Sequence, residues 1–115
     1  MLSRGIYTLA NDTVYDQLVA LLNSIEKNIG SDIPVCVIPY NDRLEKTQKE
    51  IDSRPQVTLF NNSQSLARWD SFVNEVWEYH SQASKPLERP AWYKGFVHRK
   101  FAAFDGDFDR FVFFD

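Results

Sequence analysis

The chain carries one cysteine, two histidines and four glycines in 115 residues. A single cysteine, Cys36, excludes an internal disulfide framework and a cysteine-based zinc site. Its seat inside the apolar run Val35-Cys36-Val37-Ile38 predicts a buried, inert thiol. No glycine occurs in LANDTVY, the stretch after the first apolar run, which argues against a dinucleotide-binding fingerprint and a P-loop. The histidines, His80 and His98, share no metal-ligand spacing, and no Ser-His-Asp or Cys-His arrangement has support. His80 reads as a helix-end residue meeting the C-terminal dipole, and His98 as a surface or interface residue. Basic residues are also few: 13 Lys and Arg stand against 16 Asp and Glu, for a net charge of −3. Nucleic acid is therefore not an expected partner, because phosphate neutralisation needs clustered cations. No apolar run approaches the roughly 20 residues of a membrane helix, and the opening MLSRGIYTLAND is too short in apolar residues for a signal peptide. A soluble cytoplasmic protein with no integral membrane segment is the expectation.

What is present is apolar and aromatic: 43% hydrophobic residues and 15% aromatics, enough for one modest core. Gly5 to Ala10 reads as a buried strand. Asn11, Asp12 and Thr13 are N-cap types, and Val14, Leu18, Leu21, Leu22, Ile25 and Ile29 then recur at helical spacing up to Gly30. Ile33 to Ile38 is a second strand, residues 43–53 a short exposed helix, and Gln56 to Phe60 a third strand. Asn61-Asn62-Ser63 caps a helix whose face carries Leu66, Trp69, Phe72, Val73, Val76, Trp77 and His80. After the loop SQASKPLERP, residues 91–104 return to helical spacing, with Trp92, Phe96, Lys100 or Phe101, and Phe104 on one side. Arg110 to Phe114 is the fourth strand. The alternation predicts an α/β fold, one domain over residues 1–115. It is a Rossmann-like, three-layer arrangement with a parallel sheet of about four strands in the order 3-2-1-4 and helices on both faces. Ligands of such sheets bind beyond the carboxyl ends of the strands, which directs attention to 10–13, 40–42, 60–63 and Asp115. An exposed edge beside the fourth strand invites self-association.

Two stretches carry a family resemblance. IYTLANDTVYDQLVALLNSI resembles the opening of the glycogenin-like nucleotide-diphosphosugar transferases, and HRKFAAFDGDFDRFVFFD resembles the helix, turn and strand that lead into their Asp-x-Asp motif. The resemblance implies a GT-A fold and makes the chain the N-terminal, nucleotide-sugar-binding part of a metal-dependent glycosyltransferase, a UDP-sugar being the favoured donor. It implies that Thr8, Leu9 and Ala10 contact base and ribose, that Asn11 is the polar position after them, and that Tyr15 stacks on the base. Lys100, or Arg99 one residue earlier, would reach the diphosphate. Asn41 and Asp42 follow the second strand, where a carboxylate often lies near the base. Asp115 would be the first carboxylate of the Asp-x-Asp site, which holds Mn²⁺ or Mg²⁺ against the diphosphate leaving group. No catalytic residue falls within these residues, the second carboxylate is missing, and neither metal binding nor turnover is expected of the chain alone.

Each of these residues also has a plainer role open to it: strand packing for Thr8 to Ala10, a cap for Asn11, anchoring of the first helix turn for Tyr15, a solvated face for Arg99 and Lys100, turn chemistry for Asn41 and Asp42. Two other classes stay open. One is a non-catalytic interaction or regulatory module with an aromatic partner surface around Trp92 and Tyr93. The other is a receiver-like domain, to which Asn11-Asp12 and Phe60-Asn61 are poor matches.

Overall fold

The computed structural model describes residues 3–79 and 95–115. The strands are β1 (Arg4–Ala10), β2 (Val35–Pro39), β3 (Val57–Leu59) and β4 (Arg110–Phe114), and the helices are α1 (Tyr15–Asn28), α2 (Glu45–Asp52) and α3 (Ser63–Glu78). A 3₁₀ turn at Asp12–Val14 leads into α1, and a 3₁₀ segment, Val97–Asp105, leads towards β4. The strands form one sheet in the order β3-β2-β1-β4, with every pair parallel. This is the Rossmann-like order that the alternating pattern predicts. His80, Trp92, Tyr93 and the start of the predicted 91–104 helix lie outside the described residues. Among the described residues, no helix is long and apolar enough to cross a membrane.

The period-two geometry of the strands splits their apolar residues between two layers. Ile6, Ala10, Val35, Val37 and Val57 pack against Leu18, Leu22 and Ile25 of α1 and Ile51 of α2. Tyr7, Ile38 and Phe60 point the other way and meet Ala102 and Ala103, with Leu66 and Trp69 of α3 alongside. Each fully buried Leu or Ile contributes on the order of 1.5–3 kcal/mol relative to exposure. The continuous apolar runs in the sequence are thus explained by burial on both faces.

Helix α1 ends where the sequence places its stop. Gly30 has φ of 142°, and its N–H reaches Ile25 O at 3.0 Å. A side chain there would be strained. Helix α2 is less exposed than its charged sequence predicts, because Thr47 and Ile51 are buried. The far half of α3 departs the other way: Phe72 and Val76 are 52% and 51% exposed.

The largest departure is in the last crossover. The predicted α-helical face with Phe101 and Phe104 inward is replaced by a 3₁₀ segment in which Ala102 and Ala103 are buried and Phe104 is 73% exposed. A 3₁₀ turn has three residues, so positions i and i+3 form rows. One row is Arg99, Ala102, Asp105, and its two charged members bond to α3. Asp105 accepts from Ser65 Oγ at 2.6 Å, Arg68 at 2.5 Å and Trp69 Nε1 at 2.8 Å. A second row is Lys100, Ala103, Gly106. Its Gly106 lies so close to the Tyr7 hydroxyl that a Cβ there would overlap it. The third row carries His98, Phe101 and Phe104.

Candidate functional site

The βα loops after β1, β2 and β3 each carry, within their first three residues, an asparagine that ties down the turn. Asn11 Oδ1 accepts from Thr13 N at 3.1 Å, Asn41 Oδ1 from Arg43 N at 3.0 Å, and Asn62 Oδ1 from Ser65 N at 3.0 Å. Asn11 Nδ2 also donates to Asn41 Oδ1 at 3.2 Å, so the first two loops brace each other. Tyr40 N donates to Ala10 O at 2.9 Å, which prolongs the β1–β2 ladder to the loops.

Between these loops lies a cleft of about 470 Å³, lined by Leu9, Ala10, Asn11, Thr13, Val14, Tyr40, Asn41 and Arg43. Among the described residues, the lining offers apolar side chains, two amides, one aromatic ring and one cation. A larger cavity of about 660 Å³ opens on the α3 face of the sheet, where Tyr7, Cys36, Thr58 and Asp105 are among the lining residues. It runs from Pro34 along the face of the sheet to the carboxyl end of β3, where Phe60, Asn61 and Asn62 join its lining, so it shares only the β3 loop with the edge at which parallel sheets present loop groups to ligands. Burial pushes the Cys36 thiol above its ordinary pKa, with the nearby Asp107 charge acting the same way and a Thr58 hydrogen bond opposing. The raised pKa disfavours the reactive thiolate, but Cys36 is half-buried rather than buried as its apolar run predicts.

The structure gathers some of the expected site residues and separates others. Leu9, Ala10 and Asn11 form one wall of the cleft. Thr8 is buried and its hydroxyl donates to Phe114 O at 2.8 Å, across the β1–β4 crevice where the strand order reverses. Tyr15 opens α1, half-buried, and is not part of the cleft lining. Asp42 is exposed and lines a neighbouring cavity with Asp12, Thr13, Arg43 and Glu45. Lys100 is half-buried and makes no hydrogen bond or ion pair among the described residues.

Arg99 is committed elsewhere. It donates to Asp70 through Nε at 3.2 Å and Nη2 at 2.8 Å, and to Pro39 O through Nη1 at 3.0 Å. Its guanidinium also lies 4.8 Å from the Phe96 ring centre. His98 Nε2 shares Asp70 at 2.6 Å, with its side chain 11% exposed, so the surface position expected for it gives way to an internal one. Burial works against the Asp70 charge, but the bonds from Arg99 and His98 outweigh it and hold the carboxyl below the usual range.

Asp115 is exposed at the carboxyl end of β4. Among the described residues, no group of three or more His, Cys, Asp or Glu gathers as a metal site. Hard divalent cations need several oxygen ligands, so this single carboxylate does not fit a Mn²⁺ or Mg²⁺ centre by itself. Of the cleft residues, Arg43 escaped the sequence reading, and Tyr40 fell within 40–42 but was given no role. The signal for Tyr40 was present in the parallel register, which places the residue after Pro39 level with the one after Ala10. Comparison with known proteins gives no matching family model, no matching curated protein and no matching solved structure.

Proposed function

We propose that the cleft beyond β1 and β2 takes the nucleoside end of a nucleotide diphosphosugar, a UDP-sugar by preference, and that the chain supplies the donor-binding half of a metal-dependent glycosyltransferase. The observation that carries this reading is the placement of the cleft: it lies at the carboxyl ends of two parallel strands in a 3-2-1-4 sheet, with Leu9, Ala10 and Asn11 in its wall. The resemblance of both ends of the chain to that enzyme group supplies the rest. In this reading Asp115 is one metal ligand, and Mn²⁺ or Mg²⁺ would draw its other ligands from outside these residues.

Calorimetry with UDP tests the reading. Without a complete metal site the diphosphate lacks its main counter-charge, so binding falls in the high-micromolar to millimolar range, about −4 to −6 kcal/mol. Added Mn²⁺ changes the affinity only slightly, and the chain alone shows no turnover of a UDP-sugar. Absence of binding, or measurable transfer by the chain alone, contradicts the reading.

A second reading, an interaction module, draws on the apolar strip of Phe72, Val76, Val97 and Phe101, each at least 43% exposed. The surface expected around Trp92 and Tyr93 lies outside the described residues. Nucleotide-induced amide shifts in the β1 and β2 loops separate the readings, since a module that binds through the strip leaves those loops unchanged.

A further inference from the structure

We infer that Tyr40 is the aromatic wall for the base, Arg43 the cation for its phosphate, and Asn41 the donor that orients the base. The inference rests on the proposal that the cleft takes a nucleotide. It gives Tyr40 and Arg43 the roles that the resemblance gives Tyr15 and Lys100 or Arg99.

Among the described residues, Tyr40 is the one aromatic side chain lining the cleft. Its N–H is fixed to Ala10 O, and its ring is half-buried. Phe96 supports that ring edge-on at 5.8 Å, and Phe96 is held in turn under Arg99, which is locked to Asp70 and Pro39. A ring braced this way is preorganised, so stacking a base on it costs little ordering.

Among the described residues, Arg43 is the one cation in the lining. Its backbone is clamped, N–H to Asn41 Oδ1 at 3.0 Å and C=O to Asp12 N at 2.8 Å, while its guanidinium makes no hydrogen bond or ion pair among the described residues. A planar guanidinium with all its donors open suits phosphate. Arg99 has spent three of its donors on Asp70 and Pro39. Asn41 Oδ1 already accepts from Asn11 Nδ2 and Arg43 N, which fixes the amide orientation and leaves Nδ2 to donate. That N–H can bond a uracil carbonyl, and equally an adenine ring nitrogen, so it orients a base in the cleft without by itself choosing between the two.

The test is an NMR titration of the whole chain and its folded variants with uridine, UMP, UDP, a UDP-sugar and AMP. Tyr40→Leu weakens every uracil ligand at least ~10-fold, in line with base–aromatic stacking, while Tyr40→Phe and Tyr15→Leu bind as the parent does. Arg43→Gln weakens UMP and UDP and leaves uridine unchanged. Because Tyr40→Leu can unfold, intermolecular NOEs between the Tyr40 ring and the base protons in the unmutated chain give a second readout. UMP binding that depends on Tyr15 and not on Tyr40 overturns the inference and leaves the nucleotide reading standing. Tyr40-dependent UMP binding to which neither the second phosphate nor the sugar adds anything supports the inference and removes the transferase reading. No response in the cleft to any of these ligands removes both.

Discussion

Asp12 illustrates how a residue type can be legible while its partner is not. The sequence places it among N-cap candidates for α1, but Asn11 holds that turn. The Asp12 carboxylate instead reaches across to the start of α2, where it accepts from Thr47 N at 2.8 Å, Thr47 Oγ1 at 2.8 Å and Lys46 N at 3.2 Å. Desolvation opposes its ionisation, but the Thr47 bonds and the Lys46 and Glu45 amides outweigh that and lower its pKa from 3.8. Asp70 and Asp105 are lowered from the same value, Asp105 chiefly by its bonds to Ser65 and Trp69. A carboxyl with a depressed folded-state pKa binds fewer protons folded than unfolded near that pH. Its stabilising effect is therefore fully present above the unfolded value of 3.8 and is lost as pH falls through the lower folded values. Urea unfolding across the acid range should show a plateau at neutral pH and a decline below about pH 4. Asp70→Asn should flatten that decline, and an unchanged profile in the variant would remove Asp70 from the account.

At the scale of elements, the strands were the easiest to read because burial on both sheet faces leaves little freedom in composition. Arg110–Phe114 lies where the sequence puts it, and the other strands shift by one or two residues at their ends. The 97–105 segment was misread because Trp92, Phe96, Lys100 and Phe104 recur every four residues, close to helical spacing, whereas the chain adopts a three-residue turn. That turn presents small Ala102 and Ala103 to the sheet and permits the close return at Gly106. Substitutions separate the two geometries. Ala103→Leu overpacks the layer around Tyr7 and Ile38 and should cost about 1–3 kcal/mol in denaturant unfolding. Phe104→Ser should cost less than about 1 kcal/mol, since the ring is mostly exposed. The reverse order of costs would indicate the α-helical face.

For the whole molecule, the sheet order was legible because right-handed crossovers leave few topologies. Strand order also located the loops at the carboxyl ends. It did not reveal which side chains meet there, because Tyr40, Asn41 and Arg43 come together with Asn11 only through the β1–β2 register. The Arg99 contacts are illegible for a similar reason: its partner Asp70 sits 29 residues earlier, on α3, and the pair ties that layer to the end of β2 at Pro39. The self-association expected at the β4 edge would place Val112, 55% exposed, in a contact. Sedimentation velocity over a concentration series checks it, and a constant coefficient would dismiss it.

The central claim is that the β1–β2 cleft recognises a nucleoside diphosphate. Backbone amide shifts on titration with UDP read it directly. The account predicts saturable shifts concentrated at residues 8–13 and 40–43, with smaller ones at 99–100 where the Arg99 to Pro39 bond touches the same strand end. Shifts scattered over the surface, centred on the exposed α3 strip, or absent at millimolar UDP would contradict it.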